Sequence, residues 1–401
     1  MGGGPAGLMA AEVLAGSGVE VTVYERMPSV GRKLQLAGRG GLNLTHGEAP
    51  DALLDRYGAA RPRLAPAIEA FGQDDLRSWC AGLGQETFVG TSGRVFPTAL
   101  RATGLLRAWL GRLEGSGVRF ALRATWLGWD DGGDLRFRLA GCGDERSVAV
   151  DATVLALGGA SWPRVGSDGA WVPVVRAAGV EVNPLRPANC GFVAAWSEVF
   201  RNRFAGTPLK NVALSAAGLT VRGEAVITDA GIEGGAVYAL SAPLRDALDR
   251  GGEVTLAVDL QPDLDAERLA ARLARARTSD TLSTVLRRAG LPPVAGGLLR
   301  EATGNRPPTD PAALVELLKA MPLRLLAAQP LARAISTAGG IALPEVDDSF
   351  MLRARPGTFV AGEMLDWEAP TGGYLLQAAF STGVAAAQGA CRWLAGGRGT
   401  A

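Results

Sequence analysis

The 401-residue chain is 47% hydrophobic and 20% charged, a balance that supports a sizeable core in two or three domains and excludes a disordered chain. Forty-one Lys and Arg against 40 Asp and Glu leave a net charge of +1, so no general basic field draws the protein to nucleic acid or an anionic membrane. Cys80, Cys142, Cys190 and Cys391 form no C-x-x-C pair and His46 is the single histidine, which argues against a zinc site, a redox dithiol or any other metal centre. The apolar runs are broken by Gly, Arg or Pro before they reach the roughly 20 residues of a membrane span, and no signal peptide is visible; a cytoplasmic protein is expected.

The chain opens on Gly2-Gly3-Gly4-Pro5-Ala6-Gly7, a G-x-G-x-x-G turn. Gly2 and Gly4 let the backbone turn tightly and approach a pyrophosphate, Pro5 suits the first helical turn, and Gly7 lets the helix pack close, with Ala6 inside the same turn. Leu8, Ala11 and Leu14 then recur at helical spacing, and Val19, Val21 and Val23 alternate with polar residues as a half-buried strand that ends at Glu25. A carboxylate there accepts hydrogen bonds from a ribose 2′-hydroxyl and repels a 2′-phosphate, which favours FAD or NAD over NADP. Such a fingerprint is expected to follow a strand of about five or six residues. Only Met1 precedes Gly2, so the native polypeptide is expected to begin upstream, with a short Val/Ile-rich stretch.

Gly31-Arg32-Lys33-Leu34 and then Ala37 through His46 form a glycine-dense stretch. It is costly in chain entropy and suits a close backbone approach to a ligand. Arg32, Lys33, Gly38, Arg39 and Asn43 are expected to flank a pyrophosphate and the ring beyond it; the alternative is a solvated surface turn. Helical patterns near 66–83 and 99–115 alternate with strand-like stretches at 118–129 and 135–140. Trp126, Trp129 and Trp162 read as core filling rather than as a substrate platform, with Trp126 also counted in the cofactor shell. Val154 to Leu157 is a short apolar strand running into Gly158-Gly159, a turn expected beside the cofactor.

From Cys190 to about 258 short β-prone runs such as Val212-Ala213-Leu214 alternate with glycine turns, and over 263–334 leucines sit at helical spacing between prolines. The expected organisation is a discontinuous dinucleotide-binding domain at 1–188 plus 335–401, a β-rich inserted domain at 189–260 and a small helical domain at 261–334. Near the end, Thr358 to Glu363 is a second strand-to-glycine element, and Thr371-Gly372-Gly373-Tyr374 opens a long apolar helix. Gly362 and Glu363 are placed to hold a ribityl chain, and Gly372, Gly373 and Tyr374 to meet the ring at a helix N-terminus. A nicotinamide enzyme has no use for this second element, which selects FAD. His46 is a candidate proton donor, though a lone histidine at a loop end is more often structural, and Tyr374 and Tyr238 are alternatives of similar weakness.

The motifs G-G-G-P-A-G-L-M-A-A, G-R-K-L-x-x-x-G, Gly93-Arg94-Val95-Phe96-Pro97, Ser336-Thr337-Ala338-Gly339-Gly340-Ile341 and G-E-x-L-D-x-x-x-x-T-G-G-Y-x-L-Q-x-A-F-S-T-G from Gly362 span nearly the whole chain. Together they resemble the BaiN/RdsA family of NAD(P)/FAD-dependent oxidoreductases. The resemblance implies a Rossmann-like α/β FAD-binding domain of the glutathione-reductase type, here with its first strand truncated, carrying inserted β-rich and helical domains. It also implies flavin-mediated substrate reduction; members have been associated with bile-acid double-bond reduction and with dihydrouridine formation in ribosomal RNA. Many members read S-G-G-G-R-C-N-x-T-N where this chain has Ala37 through His46, so Leu42 stands for the cysteine, Gly41 for the arginine and His46 for the last asparagine. Chemistry that needs that thiol is not carried over.

The functional expectation is an oxidoreductase with non-covalent FAD that reduces a small-molecule double bond by hydride transfer from flavin N5. No second complete G-x-G-x-x-G is present, so NAD(P)H is expected only as a transient reductant. An RNA-modifying flavoenzyme is the first rival, resting on Arg268, Arg272, Arg275, Arg277, Arg287 and Arg288; a non-catalytic flavin or nucleotide sensor is the second.

Overall fold

The computed structural model describes residues 1–140, 143–275, 277 and 279–396, with Arg39 described for its backbone alone; Cys142 lies outside the described residues. Two compact units emerge, Met1–Arg186 with Ser336–Ala401, and Pro187–Ile335.

The larger unit is organised by α1 (Pro5–Gly16), β1 (Thr22–Glu25), β2 (Arg119–Leu122), β3 (Thr153–Leu155), β4 (Thr358–Val360) and α2 (Tyr374–Ala395). β1 pairs in parallel with β2, Val23 opposite Phe120, and β4 pairs in parallel with β3, Phe359 opposite Val154. Met1 and Gly2 link the two pairs: Gly2 N–H donates to Tyr24 O at 2.9 Å and Ala156 N–H donates to Met1 O at 2.8 Å. Residues whose strands are covered on both faces read as apolar runs, and Leu155, Val360 and Ala361 are fully buried here.

α1 and α2 cross in close contact because the crossing point is small on both sides. A Cβ on Gly383 would lie 2.5 Å from Ala6 O, so no larger residue fits without moving one helix. Helices Arg61–Ala70, Gln73–Gly82 and Ala102–Gly115 stand close to the periodicity read from sequence. The strand-like stretch at 118–129 is divided between β2 and Ala124–Trp129, the latter joining Leu135–Leu139 and Glu145–Val148 in an antiparallel sheet.

The smaller unit is a closed six-stranded antiparallel barrel, in the order Phe192–Ala194, Gly231–Glu233, Leu219–Ile227, Pro208–Ala216, Val254–Asp259, Met321–Ala328. Phe192, Leu214, Ile227, Leu256 and Leu325 are completely buried in its core. Four helices, Ala266–Leu273, Leu282–Arg288, Pro293–Ala302 and Pro311–Lys319, set Leu269, Leu286, Leu299 and Leu318 into the same core. Asp265, Thr281 and Asp310 cap three of them by accepting an N–H from the first turn.

The stretch read as wholly helical to 334 therefore departs from expectation at its end. Met321–Ala328 is the strand that closes the barrel, pairing Leu323 with Leu256, and the two inserted modules share one core. Its Leu and Ala residues are good helix formers, and the alternation that marks a strand, Met321, Leu323 and Leu325 buried between exposed Pro322 and Arg324, covers only five residues. Among the described residues no helix is long and apolar enough to cross a membrane.

One partly buried carboxylate ties the helices of the larger unit together. Glu12 on α1 accepts from Trp79 Nε1 at 3.0 Å, Trp109 Nε1 at 2.6 Å and Arg112 at 2.9 Å, while both indoles pack against Phe380 of α2. Glu12→Ala leaves two indole N–H groups without an acceptor and is expected to destabilise the protein by about 2–3 kcal/mol. A shift of the urea midpoint at unchanged m-value checks this.

Candidate functional site

The glycine turn is built as the sequence implies. Gly2 has φ +91°, and a Cβ there would stand 2.2 Å from Ala156 O; a Cβ on Gly7 would stand 2.0 Å from Gly2 O. Any side chain at either position would push α1 off the strand ends. Gly4 is the N-cap of α1, no side chain caps it, and nothing lies within 4 Å of where its Cβ would be. Pro5 takes the first helical position and Ala6 is buried behind it, so the uncapped end of α1 faces open space. Such a terminus favours an anion.

Glu25 lies beside this turn at the end of β1. Its Oε2 accepts from Gly3 N–H and its Oε1 from Met27 N–H, both at 2.7 Å. The carboxylate thus braces the turn, and each oxygen keeps a lone pair with which a ribose hydroxyl can be met.

Lys33 and Glu363, 330 residues apart, form an ion pair at 2.7 Å. Lys33 Nζ also donates to Ser161 Oγ at 2.7 Å, and Glu363 accepts from Thr337 N–H at 2.9 Å and Gly159 N–H at 3.3 Å. Ala160 N–H completes the network on Thr337 Oγ1 at 2.9 Å. Residues expected separately at the pyrophosphate and at the ribityl chain are therefore one assembly, with Gly158 and Gly159 inside it. Ser161 and Thr337 carry no sign of a site role in the sequence: Thr337 lies in the Ser336–Ile341 motif, but a hydroxyl that pins a distant turn leaves no local pattern. Gly362, next to Glu363, packs against Ala6, where an added Cβ would meet that residue's Cβ at 2.9 Å.

The rest of the glycine-dense stretch is divided in role. Gly38 packs on Ala102 of helix Ala102–Gly115. Arg32 donates to Ser29 Oγ at 3.3 Å, and buried Arg32 Nε and Asn43 Oδ1 have no hydrogen-bond partner. Arg39 falls in the short turn Gly38–Gly40, and its side chain lies outside the described residues. Trp126 packs edge-on against Trp129, ring centres 4.8 Å apart, in the three-stranded sheet. Its indole shares the core beneath that sheet with Ala124, Leu135 and Phe137.

Around the start of α2, Gly373 sits against the backbone of Thr45, and Gly372 lies under the Tyr374 ring. The ring stacks on His46, centres 5.4 Å apart. His46 Nδ1 accepts from Glu48 N–H at 3.2 Å, which leaves the proton on Nε2, 3.1 Å from Ser92 O. Both ring nitrogens are thus engaged in local structure. Arg56 holds Glu48 through two contacts of 3.1 and 2.7 Å, and this pairing, aided by Tyr374, keeps the Glu48 carboxyl below its usual range. Burial, and then the hydrogen bond to Glu48, push the Tyr374 phenol well above its ordinary 10.0. Burial does the same to Tyr57, whose hydroxyl donates to Tyr374 O at 2.8 Å. His46 and Tyr374 are thus both tied by hydrogen bonds and stacking to the start of α2.

Three arginines named for the RNA rival have partners within the smaller unit: Arg268 pairs with Asp265, Arg288 with Asp280, and Arg272 donates to Ala289 O.

The chain matches the family described as HI0933-like protein Rossmann domain over residues 1–389, and it belongs to that family. It is similar to a 3-dehydro-bile acid delta(4,6)-reductase of Clostridium scindens, 27% identical over 410 residues that cover 97% of this chain and 98% of the relative. Among solved structures, a 3-ketosteroid delta1-dehydrogenase of Sterolibacterium denitrificans superposes with TM-score 0.54 at 12% identity, covering 98% of each chain. The open conformation of a flavocytochrome c3 fumarate reductase gives TM-score 0.52 at 14% identity, covering 98% of this chain and 77% of that one. The fold is thus the α/β Rossmann fold of the FAD-dependent oxidoreductases.

The two tyrosines carry a pH dependence. Their folded values lie above the ordinary 10.0, so the folded state holds its protons longer than the unfolded state. The stability they lend is complete below pH 10 and is lost as pH rises beyond it. Urea midpoints at pH 8, 10 and 11 are expected to fall across the last interval, with a shallower fall in Tyr57→Phe.

Proposed function

We propose that this HI0933-like protein binds FAD non-covalently and reduces a double bond of a small-molecule substrate, with NAD(P)H as a transient reductant. The observation that carries the reading is the uncapped N-terminus of α1, open at Gly4 and flanked by Glu25. An anion at that terminus with a carboxylate hydrogen-bonded to the turn itself suits the ADP half of a dinucleotide. The reductase named among the relatives matches end to end, which favours reduction of a double bond.

In this reading the N–H groups at the start of α1 hold the pyrophosphate, and the free lone pairs of Glu25 accept from the adenosine ribose. Arg32, Lys33, Gly38, Arg39 and Asn43 flank the pyrophosphate and the ring, and the buried unpartnered Asn43 Oδ1 is an acceptor a ligand N–H or O–H can satisfy. Gly158, Gly159, Gly362 and Glu363 meet the ribityl chain. Gly372, Gly373 and Tyr374 set the N-terminus of α2, whose positive end favours negative charge on the ring. Bound FAD would supply the hydride, from N5. His46 and Tyr374, both hydrogen-bonded beside the start of α2, are the candidates for the proton that completes the reduction.

Supernatant from heat-treated full-length protein is expected to contain FAD by mass; FMN, NAD or no nucleotide overturns the cofactor assignment. Anaerobic NADH or NADPH is expected to bleach the flavin absorbance, and a spectrum unmoved by both removes NAD(P)H from the proposal. Glu25→Ala is expected to weaken FAD binding by about one to two decades, the loss of charge-assisted hydrogen bonds. Because Glu25 also braces Gly3 and Met27, the same variant is expected to melt at a lower temperature, measured by calorimetry without ligand.

A further inference from the structure

The turn after β3 is a loop closed on itself and fastened on several sides. Gly169 N–H donates to Gly159 O at 3.1 Å, and Trp171 Nε1 donates to Gly158 O at 2.8 Å. Ser161 is held by Lys33, Ala160 by Thr337, and Asp168 by Arg26 in an ion pair at 2.7 Å. Gly166 packs on Met27, two residues past Glu25. The loop therefore runs alongside the nucleotide site from Lys33 and Glu363 at one end to Arg26 and Met27 at the other.

Two features of this fixed loop are unfavourable in themselves. Trp162 adopts φ +62°, a left-handed conformation that a bulky side chain rarely takes, and is 37% exposed. Ser167 is only 6% exposed, yet its Oγ has no hydrogen-bond partner. A serine hydroxyl can rotate to suit any nearby acceptor and can itself accept, so a buried one left unpaired calls for an explanation. The space it faces supplies one. Ser167 Oγ lies 3.5 Å, and Glu363 Oε2 3.9 Å, from the point a Cβ on Gly158 would occupy, so the bare Cα leaves room between the Ser167 hydroxyl and a carboxylate of the site.

We infer that Ser167 is a ligand-binding residue whose hydroxyl hydrogen-bonds to a hydroxyl or phosphate oxygen of the dinucleotide. The inference rests on the FAD reading above and extends it to a residue outside the glycine motifs. The ligand then supplies the partner that the loop does not offer the buried Ser167 hydroxyl.

The opposite signs expected of two measurements on Ser167→Ala test it. In full-length protein stripped of flavin, removing an unsatisfied hydroxyl leaves the melting temperature equal to wild type or higher. Titration of the same preparation with FAD shows binding weaker by about five- to tenfold, the worth of one lost hydrogen bond. A parallel loss for ADP places the contact on the ADP half; a loss for FAD alone places it on the ribityl half. Unchanged FAD affinity overturns the inference, and so does a melting temperature lowered in the absence of flavin, because the hydroxyl then has a structural partner. Wild-type protein that takes up no FAD overturns the reading beneath it instead, and that titration comes first.

Discussion

The ion pair between Lys33 and Glu363 is the contact on which the candidate site depends, because it joins parts of the chain that no local rule brings together. Glu363 receives a side-chain ammonium and two backbone N–H groups, and Lys33 divides its donors between Glu363 and Ser161. A partly buried carboxylate is tolerated only when it is neutralised and hydrogen-bonded. The network meets that condition by fixing the turn after β3, the strand Ser336–Ile341 and the helix that begins at Arg32 around one point.

What the sequence made legible was what is local. The register of the glycine turn, α1, the strand and Glu25 follows from spacing within 25 residues, and the structure gives Gly2 and Gly7 close backbone contacts and sets Gly4 at the N-cap of α1. The long helix from Tyr374 was equally plain, as a run of small and apolar residues behind two glycines. The closing strand Met321–Ala328 was not, because leucine and alanine suit a helix alone and a strand only when Leu256 and Phe192 wait on either side. Pairing partners more than 60 residues away decide that segment.

Within the site the same division holds. Glu25 could be named from its position on a strand, but its second duty, holding Gly3 and Met27, is visible only in three dimensions. His46 and Tyr374 attract a catalytic reading as residue types; that His46 is held between Glu48 and Ser92, and Tyr374 beside Glu48, is visible only in three dimensions. Residue type proposes chemistry, and the hydrogen bonds already made decide whether the group is free to perform it.

The smaller unit interrupts the larger one, entering at Pro187 and leaving at Ile335. The N–H groups of the glycine turn leave the ribosome more than 300 residues before Glu363 and the start of α2. At about 5–20 residues per second a nascent chain spends many seconds with the front of the site made and its back absent. During that interval the barrel, which is continuous in sequence, can close by itself, whereas α1 has no α2 to lie against. The candidate site would therefore be complete only once α2 has followed, so a ligand that needs both of its halves would meet them late in the maturation of the chain.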